Sequence, residues 1–375
     1  MHDEIPYYDC AVVGGGPAGL SLATWLGQAG FRVVLHEKNS YPFHKVCGEY
    51  LSLESLDSLV ELGAPLGEWG LPRIDTLLLS SRDGTAVTRP LQPGGIGLSR
   101  FRLDHVLAEL AKATGVEVRE RAKVDAIHYD DDSFLLESSR GRVRAKVCCA
   151  SFGRHANLDV KWNRSQKAAR NFIGVKYHVH LDRPRNLIEL HHFKNGYCGI
   201  SPVEEGKHCI CYLTTKENLS EQGNDINRLE AVVLSENPYL RKALKEAARL
   251  YERPLTVSHV SFARKTLVEN HVLMLGDAAG MITPLCGNGM SMALHSSKLA
   301  LSLIIGHLEG DISRESMEKA YQNRWQSNFS HRMRSGRLIQ ELFLRPAATN
   351  IMVKTLKPFP AMMDFIVRQT HGQSF

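Results

Sequence analysis

The sequence predicts an α/β chain: a βαβ unit at the start, a mainly antiparallel sheet inserted after it, and a helical C-terminus. Three observations carry this. Residues 8–13, YDCAVV, form an apolar β-rich run; GGGPAGLSLATWLGQAG follows with apolar positions at helical spacing, and FRVVLHEK returns to a strand ending in an acid. Residues 170–215 alternate apolar and polar in NFIGVKYHVHL, GYCGISPV and HCICYLTT, the period of antiparallel strands. Far downstream, LMLGDAAGMITPLCGNGMSMAL again reads strand, glycine-rich turn, helix.

Taken in order, SLESLDSLVELG predicts a helix capped by Ser52 and ended by Gly63. Residues 74–90 read as two strands around the turn SRDG, and SRFRLDHVLAELAKATG as a helix capped at Ser99. Four short strands are expected between 116 and 150, two helical segments over 224–249, strands in TVSHVSFA and HVLMLGD, and a long helix from Asn288 to His307. Residues 313–370 read as helical with breaks at Pro346 and Pro358. The division this implies is a discontinuous cofactor domain (1–73, 95–165 and 265–310), an inserted substrate-binding sheet domain (74–94 and 166–264) and a C-terminal helical segment (311–375).

Composition narrows the function classes. With 43% hydrophobic and 23% charged residues the chain is ordinary globular protein, and its 46 basic against 40 acidic side chains are too dispersed for a nucleic-acid footprint. No apolar run reaches the roughly 18 residues of a membrane span, and the N-terminus shows no signal pattern, so a cytoplasmic location is expected. Eight cysteines without a CxxC pair predict neither a disulfide scaffold nor a metal site; Cys209 and Cys211 fall on one strand face and read as packing. In the C-terminal segment NIMVKTLKPFPAMMDFIVRQTHG apolar and basic residues mix, which fits core cover first and a peripheral membrane contact second.

In GGGPAG, Gly14, Gly16 and Gly19 have GxGxxG spacing, with Pro17 and Ala18 opening the helix; Glu37 follows 18 residues after Gly19, beside Lys38. Glycines let the backbone approach a pyrophosphate at a helix N-terminus, and the acid accepts a ribose hydroxyl while repelling a 2′-phosphate, which leaves FAD or NAD. In the downstream motif, Gly276 and Asp277 close a strand, and Pro284, Gly287, Asn288, Gly289 and Met290 lead into a helix.

Together the two motifs resemble the large family of FAD enzymes that contains aromatic-ring hydroxylases of the p-hydroxybenzoate hydroxylase type, geranylgeranyl reductases and flavin-dependent halogenases. The resemblance implies a Rossmann-type FAD-binding domain, with Asp277 on the cofactor and Leu285 to Met290 along the flavin. RFRLD is similar to the family's arginine-bearing helix start and implies that Arg100 approaches the phosphates, with Arg102 solvated; Val124 stands where relatives lay backbone on adenine. PFHKVCGEYLS resembles a geranylgeranyl reductase segment and implies that Cys47 and Gly48 border the flavin. Cys47 is the candidate catalytic proton donor. Cys286 is a second candidate donor, a redox couple of the two cysteines is a further reading, and Glu49 reads first as a cap on the helix that follows and second as an acid near the pocket. NGYCGISPV is similar to the reductase strand GYGWxFP, whereas the halogenase WxWxIP is absent. In CCASFGRHANL the family's aspartate is missing, so reduction by transient NAD(P)H has a separate electron-donor protein as its alternative. The chemistry implied is reduction or desaturation of a carbon–carbon bond in a small apolar substrate, with hydroxylation of an aromatic or polyketide-type substrate as the alternative and electron relay as the third.

Overall fold

The computed structural model describes residues 5–154, 157–164, 171–344 and 346–356, together with 358, 359, 372 and 375. Strand β1 (Tyr7–Val13) is buried from Cys10 to Val13, as a central parallel strand must be. Helix α1 (Pro17–Gln28) is buried from Pro17 to Leu26, which explains why it is apolar nearly all round. Strand β2 (Val33–His36) pairs in parallel with β1, Cys10 opposite Val33 and Val13 opposite His36. The glycine turn and Glu37 therefore leave the sheet at the same carboxyl edge.

Strand β3 (Tyr50–Ser52) precedes helix α2 (Leu56–Glu61), strand β4 (Arg73–Ser80), strand β5 (Ala86–Gly97) and helix α3 (Arg100–Ala113). The helix expected over 52–63 is shorter than read: Ser52 caps only a single 3-10 turn, Leu53–Ser55, and Gly63 ends α2 in the left-handed region. Ser99 does cap α3, accepting from the Arg102 amide at 3.2 Å, and is itself gripped by Glu204. The four strands expected before residue 150 are β6 (Glu117–Arg119), β7 (Val124–Asp130), β8 (Ser133–Ser138) and β9 (Gly141–Ala150).

After helix α4 (Asn157–Lys161) come β10 (Phe172–His180), β11 (Leu187–Phe193), β12 (Gly196–Pro202) and β13 (His208–Thr215), the alternating strands of the sequence. Helices α5 (Lys216–Glu221), α6 (Ile226–Val232) and α7 (Pro238–Glu246) follow. Ala248–Arg249, read from sequence as helix, is instead strand β14, because its backbone satisfies the edge of β10 at Val179 and His180. Strands β15 (Leu255–Val260), β16 (Val268–Glu269) and β17 (Val272–Met274) lead to helices α8 (Gly289–Glu309), α9 (Arg314–Phe343) and α10 (Pro346–Leu356).

Two sheets result. The first has order β16-β17-β9-β1-β2-β6 with the β7–β8 hairpin on β9; the second has order β14-β10-β13-β12-β11-β4-β5-β3 with β15 on β10. The second is antiparallel except where β11 meets β4. Helix α8 closes over α1, where the Ser297 hydroxyl donates to the Ala18 carbonyl at 2.7 Å. Helix α9 buries Met317, Tyr321, Trp325, Phe329 and Met333 on the core. Residues 360–371 of the apolar and basic C-terminal stretch lie outside the described residues. Among the described residues no helix is long and apolar enough to cross a membrane.

Candidate active site

The glycine turn is built by close approach. A Cβ on Gly19 would lie 2.1 Å from the Gly14 carbonyl oxygen, and one on Gly14 2.6 Å from the Ser151 backbone, so neither position has room for a side chain. Glu37 is buried at the end of β2 and braces the turn: one oxygen accepts from the Gly15 amide at 2.9 Å, the other from the Asn39 amide and side chain. Lys38 is exposed, and Val124 is buried in the core at the start of β7.

Gly16 is the extended N-cap of α1, followed by Pro17, and no side chain caps that helix. Two cations face the uncapped end. Arg100 Nη2 is 3.4 Å, and Lys45 Nζ 3.9 Å, from the position a Cβ on Gly16 would take. Asp104 grips Arg100 through two 2.7 Å hydrogen bonds and offsets the cost of burying it. Lys45 has no such partner among the described residues, and burial together with the Arg100 charge lowers its pKa. A pair of phosphates at the helix N-terminus would satisfy both cations and the first-turn amides.

The downstream motif brings a carboxylate to the same place. Asp277 follows Gly276, whose amide donates to Ser296 Oγ at 2.9 Å. Burial pushes the Asp277 carboxyl up, while Arg154, Arg100, Lys265 and Lys45 surround it with positive charge and pull it down. It has no hydrogen-bond partner among the described residues, as suits an acceptor kept for a ribityl hydroxyl. Arg164 fixes this turn from behind: it donates to the Ala278 carbonyl at 2.7 Å and to Asp159 at 2.5 Å. Pro284 and Gly289 are exposed, Asn288 and Met290 buried, and Gly287 packs on the Tyr50 ring. These groups fit FAD.

The Cys47 turn lies between the two sheets. The Cys209 thiol donates to the Cys47 carbonyl at 3.3 Å, and the Ser201 hydroxyl of β12 to the Gly48 carbonyl at 2.6 Å. Burial pushes the Cys47 thiol up, so it stays protonated at neutral pH. All eight cysteines are free, and Cys286 Sγ lies 3.2 Å from the Thr283 hydroxyl, beside Gly336.

Glu49 does not cap α2. It is fully buried with φ 58°, bonded to the Lys176 ammonium, to His178 Nε2 at 2.5 Å and to the Arg100 amide at 2.8 Å. It thus clasps the turn to β10 and to the start of α3. A buried carboxylate seeks a buried cation before a helix end that water can reach. Glu49, His178 and Cys209 also bring ligand atoms within 4.8 Å, but here the protein's own lysine supplies the cation.

Sequence reasoning missed Lys45, Lys176, His178 and Arg164. The only available signal was VKYHVH, where Lys176, His178 and His180 occupy one face of an otherwise apolar strand.

Residues 7–328 match the family model described as FAD binding domain. The chain is 26% identical over 379 residues to conditioned medium factor receptor 1 of Dictyostelium discoideum, covering 91% of this chain and 72% of that one. It is 26% identical over 344 residues to digeranylgeranylglycerophospholipid reductase 2 of Methanopyrus kandleri, covering 86% and 83%. A flavin-dependent brominase superposes with TM-score 0.81 at 19% identity, covering 97% of this chain and 93% of that one, a likeness of fold. With an uncapped helix facing two cations and an unpartnered aspartate on the same space, the chain belongs to the FAD binding domain family and is an FAD-dependent oxidoreductase.

Proposed function

We propose that the chain reduces a carbon–carbon double bond in an apolar, isoprenoid- or polyene-like substrate. The observation that carries this reading is the Cys47 turn, whose protonated thiol stands between the cofactor cations and the second sheet. The name of the Methanopyrus kandleri relative, a reductase of a digeranylgeranyl lipid, supports it. FAD supplies the hydride when bound. Lys45, Arg100 and the α1 N-terminus hold its phosphates, Asp277 its ribityl chain and Glu37 its ribose. Cys47 gives the second carbon its proton and regains one from solvent. Tyr197, Phe172, Leu213 and Leu285 form an apolar wall that excludes water. In this reading the first sheet carries the cofactor and the second the substrate, and the electrons come from transient NAD(P)H or a donor protein.

The test is anaerobic. FAD in the holoenzyme is photoreduced and mixed with a panel of polyenes and phenols; reoxidation by a polyene is expected. Replacing Cys47 with alanine should slow that single turnover about 100-fold. An unchanged rate removes Cys47 from proton transfer. The same apolar wall also suits a hydroxylase, whose mark is oxygen consumption with a hydroxylated phenol.

A further inference from the structure

Among the described residues, three buried histidines, His36, His192 and His208, have both ring nitrogens without a hydrogen bond. A neutral imidazole offers one donor and one acceptor, and leaving either dry in a core is costly, so an unpartnered one asks for an explanation. His36 lies at the end of β2 between Arg119 and Glu117, and His208 at the end of β13 beside charged neighbours. His192 differs in its surroundings.

His192, 1% exposed, projects from β11 directly opposite Tyr197 of β12, with ring centroids 6.3 Å apart. Its other face meets Phe343 of α9 at 4.2 Å. Phe343 and Tyr197 belong to two apolar clusters that share Leu190 and Leu285. Leu285 sits in the loop between Asp277 and α8, the segment assigned above to the flavin. The Tyr197 hydroxyl faces the Leu285 backbone without completing a hydrogen bond. Two polar tips on adjacent strands thus stand among apolar side chains beside the flavin loop, and the His192 ring nitrogens have no hydrogen-bond partner among the described residues.

We infer that His192, with Tyr197, forms a ligand subsite for a single oxygen, a hydroxyl or carbonyl, carried on an otherwise apolar substrate. This rests on the proposed function and narrows it: the substrate is not a bare hydrocarbon. His192 donates from its neutral ring, since burial holds its pKa down at about 3. The apolar wall recognises the body of the ligand, and the imidazole sets which end enters.

The test uses oxidised, FAD-loaded protein and two probes differing only in the hydroxyl, 2-naphthol and naphthalene. Affinity is measured by equilibrium dialysis and by perturbation of the flavin spectrum. The naphthol is expected to bind about tenfold more tightly, a normal return for one buried hydrogen bond. H192L should bring the ratio to about one while naphthalene affinity is kept, and H192Q, which retains a donor, should restore part of the preference. Y197F, which leaves His192 in place, should lower the ratio partially. Equal binding of the two probes, binding of neither, or a preference that survives H192L overturns the subsite. Because no turnover is involved, the outcome is separable from that of the reductase assay: a preference without polyene reduction sinks only the reductase reading, and the reverse result sinks only the subsite.

Discussion

Replacing Glu49 with alanine is expected to destabilise the protein by about 3–5 kcal/mol, the usual cost of removing one member of a buried ion pair. The Lys176 ammonium, which has no exposed surface, would then stand uncompensated in the core. Denaturant unfolding measures the loss. The paired change of Glu49 to leucine and Lys176 to methionine should recover most of it, because the charge and its partner leave together. Recovery by the pair would show that the single variant fails through the stranded lysine rather than through a lost contact. The clasp also has a pH signature. Burial alone would raise the Glu49 carboxyl, but Lys176 and His178 outweigh it and bring it down to about 2, from an ordinary 4.5. A depressed carboxyl contributes stability that is fully present above about pH 4.5 and is lost as pH falls toward about 2. The midpoint of denaturation should therefore fall across that window in the wild type, and by less in the paired variant. An equal fall in both would deny the clasp its part in acid sensitivity.

Gly16→Val should give a folded protein without flavin, with bound FAD per chain below about a tenth of the wild-type value. Gly16 has φ −92° and ψ −175°, a backbone that valine adopts readily. Its Cβ would meet only the ends of the Arg100 and Lys45 side chains and no backbone. The fold should tolerate the side chain, but the methyl groups would stand where phosphate must reach the helix amides. Gly19→Val makes the contrast: 2.1 Å from the Gly14 carbonyl there is no room at all, so that variant should fail to fold. Circular dichroism with the flavin spectrum of purified G16V decides. Retained FAD would mean that the phosphates lie elsewhere.

Local rules made much of this legible. The βαβ unit shows because its strands are apolar runs, its turn is glycine, and its acid follows at a fixed distance. The Ser99 cap and the SRDG turn are short-range chemistry, and the structure has both. What stayed hidden is long-range. Glu49 is 51 residues from Arg100 and 127 from Lys176, and nothing in one sequence gives the register between a loop and a strand that far away. Lys45 reads as any loop lysine until α1 and α3 bring Gly16 and Arg100 beside it. At Ala248–Arg249 the preceding run of good helix formers favoured helix, and the unpaired edge of β10 prevailed.

The place of β17 in the first sheet has a consequence for biosynthesis. It pairs with β9, Leu273 opposite Cys149, and carries Asp277 at its end. A ribosome has finished Gly14–Gly19 some 260 residues before it reaches Asp277. At about 5–20 residues per second the interval is on the order of ten seconds to a minute. Until then the nascent chain holds one half of a nucleotide cradle and no second half. A product that stops short of Gly276 lacks the aspartate turn and should not sequester FAD, so cofactor loading reports that synthesis has passed β17.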